Sequence, residues 1–300
     1  MTVFDEATAV TPDGDGWYSA HPDARFALVA PGGSTPPAIN GGVLLATVLR
    51  AVLDCSPLPH PVATTAHFLR VPQFAPARIQ VTWLKTGRTA ATARATLTQG
   101  DNVILETAIT TGTVPGPSAQ DDLDEQLDWT GAVPDLPPVG DCVNLGPWAG
   151  TVAPNGELGY AGQVEMLLDP AVTGWRFEEP SGLPEMRGYF RLKEERNPDA
   201  LMLAMAVDGL PPVVFGLGAT GWAPTVELTM HMRRVPAPGL LAVAARCRHV
   251  SGGWFDEEAE VWDSAGHLVA QSRQIARVGR GPLRPRPPEA AAVVGSGSGH

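Results

Sequence analysis

Three polar residues in the second half of the chain stand out, and at one of them, Asp208, the surroundings would favour an apolar residue. Asp208 follows the apolar run Ala200-Leu201-Met202-Leu203-Ala204-Met205-Ala206-Val207, and Gly209-Leu210-Pro211-Pro212 comes straight after it. Thr225 opens a strand-like segment, and Gln274 lies late in another. A carboxylate is a general acid–base group, while a hydroxyl and a side-chain amide each donate and accept hydrogen bonds. Each residue also has a plainer role open to it. Asp208 could cap or end a helix, and Thr225 and Gln274 could be ordinary strand residues.

The elements that must position these residues are organised as a repeat. His67-Phe68-Leu69-Arg70-Val71-Pro72 returns as His231-Met232-Arg233-Arg234-Val235-Pro236, 164 positions later. The same offset sets Val103-Ile104-Leu105 over His267-Leu268-Val269, and the turn at 99–102 over that at 263–266. A shared offset over two elements points to a duplicated domain. In each copy a buried helix (43–53 and 199–207) precedes antiparallel strands. These are expected at 79–84, 92–98 and 103–110, then at 225–233, 240–249, 255–262 and 268–276. A helix apolar on every face is buried all round, so each sheet must wrap its helix. This is an α+β double hotdog: two tandem antiparallel sheets, each around a central helix. The expected boundaries are 1–114 and 148–280 for the two hotdogs, a Pro/Asp-rich linker over 115–147, and a disordered tail over 281–300.

Composition narrows the partners. The net charge of −11 argues against nucleic acid, because phosphate binding needs a basic footprint. No apolar run approaches the roughly 20 residues of a membrane span, and the N-terminus lacks a signal pattern; a cytoplasmic setting is expected. The three cysteines form no paired motif, so neither a disulfide framework nor a zinc site is suggested. Gly216-Leu217-Gly218-Ala219-Thr220-Gly221 spells a dinucleotide fingerprint. It lacks the following helix and acidic residue that such a site needs, and it is expected to be a surface loop. Asp263 and His267 straddle a predicted turn and are read as a solvated hairpin end rather than a dyad. His67 and His231 occupy equivalent repeat positions and are read as structural. No Gly-x-Ser-x-Gly elbow is present, which argues against a serine nucleophile.

Taken in order, Asn-Gly-Gly-Val-Leu-Leu-Ala (40–46), His-Phe-Leu-Arg-Val-Pro (67–72), Asp-Gly-Leu-Pro-Pro (208–212), Trp-Ala-Pro-Thr-Val-Glu-Leu-Thr (222–229) and Leu-Val-Ala-Gln-Ser-Arg-Gln (268–274) resemble the TesB-like double-hotdog acyl-CoA thioesterases. The resemblance covers about residues 16–112 and 147–279. It implies hydrolysis of acyl-CoA to free acid and CoA without a metal or redox cofactor. It also implies that Asp208, Thr225 and Gln274 hold the attacking water, with Thr229 and Gln271 as neighbouring alternatives. By analogy, backbone N–H groups near Gly41 and Gly42 are candidates to receive the oxyanion and the substrate. The chain departs from better-known bacterial members in its Pro pair after Asp208, in Glu227 where an Asp often stands, and in its longer linker. Arg70, Arg88, Arg233 or Arg234 could meet the CoA phosphates. The alternatives are a biosynthetic enzyme acting on a carrier-bound or polyketide-like acyl group, and a non-catalytic acyl-CoA-binding module. Hotdog sheets have open edges, so a homo-oligomer is expected.

Overall fold

The computed structural model describes residues 1–28, 37–117, 131–146 and 159–284. Most of the expected tail, and the middle of the expected linker, lie outside the described residues. After a short helix α1 (Val3–Ala7), the first half runs β1 (Val10–Gly14), β2 (Trp17–Ala20), β3 (Ala27–Leu28) and β4 (Ala38–Ile39). The helix α2 (Gly41–Asp54) follows, then β5 (His60–Phe68), β6 (Ala77–Thr86), β7 (Ala91–Gln99) and β8 (Asn102–Gly112). The second half contains β9 (Val143–Asn144), α3 (Tyr160–Gln163), β10 (Val164–Leu168), β11 (Glu185–Leu192) and α4 (Ala200–Ala206). It closes with β12 (Thr225–Met232), β13 (Leu241–Arg246), β14 (Val250–Ser251), β15 (Trp254–Trp262) and β16 (Leu268–Arg277).

The two halves repeat one strand order, β2-β6-β7-β8-β5 in the first and β11-β13-β15-β16-β12 in the second. Strands β5 and β12 pair antiparallel, which joins both sheets edge to edge into one continuous sheet. At the join Thr65 faces Thr229, and their hydroxyls lie 3.2 Å apart. These residues are 164 positions apart, so the pseudo-twofold axis relating the copies passes between them. Strand β5 was not foreseen as an element, although its last two residues open the repeated motif. Strand β9 falls within the stretch expected to be linker and pairs with β10.

Both central helices begin at a side-chain cap. Asn40 accepts from the Val43 N–H at the start of α2, and Asp199 accepts from the Met202 N–H at the start of α4. Such caps supply a missing acceptor to the free N–H groups of the first turn. Helix α2 buries Gly42–Leu49, Ala51 and Val52, and α4 buries Leu201–Ala206, as the all-round apolar pattern requires. Helix α4 stops within two turns because Pro211 and Pro212 lack N–H groups and cannot continue it. Its last turn tightens, with Asp208 N–H donating to Met205 O (3.3 Å) and Gly209 N–H to Ala206 O (3.2 Å).

The two helices meet closely where α2 starts and α4 ends. A Cβ on Gly42 would lie 2.6 Å from the Ala204 carbonyl oxygen and 2.7 Å from Met205 Cα. Both are backbone atoms, so only glycine allows this approach. Gly42→Ala should therefore destabilise the protein by about 1–3 kcal/mol, the usual range for overpacking. Gly140→Ala, with nothing within 4 Å, should change stability by less than about 0.5 kcal/mol. Urea denaturation of the two variants beside the wild type measures this.

Candidate active site

The close approach of the helices brings a carboxylate from one half onto a helix terminus of the other. Asp208 Oδ2 accepts from the Gly42 N–H at 2.9 Å, and Asn40 Nδ2 donates to the Asp208 carbonyl at 3.1 Å. Negative charge at a helix N-terminus is favoured by the unpaired N–H groups and the helix dipole. Burial works the other way. Although solvent touches part of Asp208, its carboxyl is enclosed, and desolvation pushes its pKa up to about 7 against the lowering effect of the Gly42 bond. A Cβ on Gly41 would come within 2.8 Å of Asp208 Oδ2 and 3.2 Å of the Phe68 ring, so that glycine leaves room for the carboxylate. Tyr160 closes another side, its hydroxyl donating to Gly209 O at 3.2 Å.

A register irregularity in the sheet puts Thr225 and Gln274 on the same face. Along β12, Leu228, Met230 and Met232 point to the core while Glu227, Thr229 and His231 point outward. Simple alternation would send Thr225 outward too. A bulge between Thr225 and Glu227 shifts the register, and Thr225 pairs with the buried Ala276 on the core side. Bulges commonly re-aim a side chain in this way. The Thr225 hydroxyl then donates to Gln274 Oε1 at 2.6 Å.

The third member of this row is Glu257, which sequence reading missed. It lies directly opposite Gln274 in the ladder and accepts from Gln274 Nε2 at 2.7 Å; its other oxygen accepts the Val213 N–H at 3.1 Å. Its relative exposure is 6%. Burial pushes its pKa up to about 7, opposed by the bonds from Val213 and Gln274 and reinforced by the charge of Asp208. A signal was available. Phe255, Ala259 and Val261 mark the core parity of β15, and Glu257 shares it.

The alternatives fall on the other side of the sheet. Thr229 and Gln271 line an outward groove of about 600 Å³ with His231, Arg246, Glu258 and Arg273, away from Asp208. Thr229 is hydrogen-bonded to Glu227. Among the arginines considered for CoA, Arg70 donates to Val103 O and Arg234 to Gly116 O, while Arg88 and Arg233 are exposed. The hairpin end at Asp263 is not solvated as expected: Asp263 is buried, accepts from the Ala237, Ala265 and His267 N–H groups, and has His267 Nδ1 3.4 Å from its carboxylate. In the glycine motif no α-helix opens, but it is not the surface loop expected, since Gly216, Leu217 and Ala219 are buried. Residues Val213–Leu217 form a 3-10 turn, and a Cβ on Gly216 would lie 2.0 Å from Leu183 O.

The pseudo-twofold exposes an asymmetry between the copies. Both carry the bulge, at Pro61/Ala63 in β5 and at Thr225/Glu227 in β12. The pairing Ala93↔Ile109 corresponds to Glu257↔Gln274, and Pro61 corresponds to Thr225. The last strand is thus displaced by one from the ungapped 164-residue register, because the turn from β15 to β16 is longer than that from β7 to β8. Where one copy has Thr, Glu and Gln facing the core, the other has Pro, Ala and Ile.

The tandem hotdog has known relatives. Residues 30–113 match the family model of the acyl-CoA thioesterase N-terminal domain, and residues 136–278 that of its C-terminal domain. An uncharacterized protein of Mycobacterium tuberculosis is 31% identical over 261 residues, spanning 81% of this chain and 86% of its own length. A crystal structure from Thermobifida fusca, described as a candidate thioesterase II, is 36% identical with a TM-score of 0.80, over 93% of this chain and 98% of that one. An acyl-CoA thioesterase II from Mycobacterium marinum shares the fold at 16% identity and a TM-score of 0.64, over 93% and 99% of the two chains. The chain belongs to the TesB-like acyl-CoA thioesterase family. Among the described residues no helix is long and apolar enough to cross a membrane.

The buried carboxyls set a sign for stability against pH. A carboxyl whose folded pKa lies above its unfolded value binds more protons when folded. Its contribution is therefore full below the unfolded pKa and is lost as pH rises through the folded pKa. For Asp208 that window runs from 3.8 to about 7. Asp208→Asn should accordingly be more stable than wild type at about pH 8, by an amount on the order of a few kcal/mol. The gain should shrink as pH falls towards about 4. Thermal melts of both proteins across that range check it.

Proposed function

We propose that this protein hydrolyses acyl-CoA thioesters to free acid and CoA, with Asp208 as general base and Thr225 and Gln274 as the residues that hold the attacking water. The observation that carries this reading is an enclosed carboxyl at the α2 N-terminus whose charge acts on Glu257, with Glu257 bonded in turn to an inward Thr–Gln pair that the first copy lacks. A general base works best with a pKa near the working pH, and Asp208, at about 7, meets that condition. Water gives a proton to Asp208 as its oxygen attacks the thioester carbonyl carbon. The tetrahedral intermediate then collapses, the C–S bond breaks, and the proton passes from Asp208 to the departing CoA sulfur.

The α2 N-terminus serves both states of this reaction. In the resting site its positive end faces the Asp208 carboxylate, through the Gly42 N–H. As Asp208 takes the proton, negative charge moves to the carbonyl oxygen, and a preorganised donor is worth most where charge develops. Gly42 is committed to Asp208, which leaves the Gly41 N–H as the α2 donor for the oxyanion. Gly41 has no acceptor for its N–H among the described residues. Its missing side chain also keeps the approach open.

Thiol release from a panel of acyl-CoAs, beside acyl groups on a carrier-protein pantetheine, tests the reading. Wild type should release CoA, with kcat rising through about pH 7 as Asp208 ionises. Asp208→Asn should lose about 10²–10⁴-fold in kcat. Equal rates in the two proteins would remove Asp208 from the mechanism. Release only from carrier-bound acyl groups would favour a biosynthetic role, and binding of acyl-CoA without turnover would favour a binding module.

A further inference from the structure

The polar row on the inner face of the second hotdog has a direction. The Thr225 hydroxyl donates to Gln274 Oε1, and Gln274 Nε2 donates to Glu257 Oε1. An ionised carboxylate can only accept, so a chain that reaches one must end there. The amide of Gln274 therefore presents its nitrogen to Glu257 and its oxygen to Thr225. Thr225 has one hydroxyl proton and it is spent on Gln274, which leaves the oxygen as an acceptor only. A water beside Thr225 must donate into it. The second proton of that water is then free for Asp208, and its lone pair for an acyl carbon.

Glu257 makes a second connection that bears on the same geometry. Its Oε2 holds the Val213 N–H, five residues beyond Asp208 and at the start of the turn that follows the α4 terminus. One side chain thus ties the segment carrying Asp208 to the strand carrying Gln274. The first copy has Ala93 at the corresponding place, so it can make neither connection.

We propose that Glu257 is a positioning residue: it fixes the amide orientation of Gln274 and, through Thr225, turns the lone pair of the nucleophilic water towards the acyl carbon. Its consequence for turnover rests on the thioesterase reading; the amide orientation does not. The titratable groups facing Glu257 are Asp208, whose charge raises its pKa, and Cys247 just after β13, whose thiol is itself pushed up by burial and by Asp256 and Glu257. Protonation of Glu257 would supply a donor, allow the Gln274 amide to invert, and turn the Thr225 proton towards the water oxygen.

Glu257→Gln keeps the volume and removes the fixed acceptor. It should lower kcat by about tenfold to a hundredfold, the scale of a misplaced reactant, with KM little changed. The acid limb of the kcat profile should also become shallower, because two interacting carboxyls, Asp208 and Glu257, titrate together in the wild type. A folded Glu257→Gln protein with wild-type kcat and an unchanged acid limb would overturn the proposal. A second readout does not depend on turnover: the ¹⁵N-labelled side-chain amide of Gln274 in the full chain, assigned by its loss in Gln274→Leu. Its resonance should titrate near neutral pH in the wild type. A resonance that neither titrates nor moves in Glu257→Gln would also overturn the proposal. If the wild type cleaves no thioester, the hydrolase reading fails while this resonance still decides the orientation of Gln274.

Discussion

The carboxylate of Asp208 rests on the first turn of a helix that belongs to the other half of the chain, and most of the site's geometry follows from that contact. It requires α2 and α4 to approach within backbone contact distance, which Gly42 alone permits. It requires α4 to stop after seven residues, and the proline pair at 211–212 keeps the helix from resuming. It also places an acid where desolvation and a helix terminus act in opposite directions. Desolvation wins, and the pKa rises.

The β5–β12 junction gives the contact its frame. Because the two sheets join through an antiparallel pair centred on Thr65 and Thr229, the helices they wrap are brought together about one axis. The terminus of one can then meet the start of the other. The same axis makes the copies comparable position by position. Three core-facing polar residues on one side answer to Pro61, Ala93 and Ile109 on the other. A buried polar side chain costs free energy unless it is hydrogen-bonded, and the row Thr225–Gln274–Glu257 meets that demand through its own bonds and the Val213 N–H.

Much of the architecture was legible in the residues. The helix limits at 41–54 and 200–206 differ by a residue or two from the apolar runs that announced them, and strands β6–β8, β12, β13, β15 and β16 follow the expected segments. Strand β5 went unrecognised because its alternation is blurred: Pro61, Thr64 and Ala66 face the core while Val62 is the extra residue of a bulge between Pro61 and Ala63. Asp208 stood out because a carboxylate after eight apolar residues is anomalous in any fold. Glu257 did not, because it sits in the run Asp256-Glu257-Glu258, where an acidic face in water is the ordinary reading.

The sequence by itself determined the duplication, the two buried helices and the place where the second one must end, since these depend on periodicity, apolar content and proline, all of which act locally. Only the tertiary structure decided which polar residues meet. The bulge that turns Thr225 inward is a matter of cross-strand register, as is the pairing that sets Glu257 against Gln274. The bond from Asp208 to Gly42 joins residues 166 positions apart. Such contacts are set by how strands and helices pack against one another, and no local pattern of residue types encodes that packing.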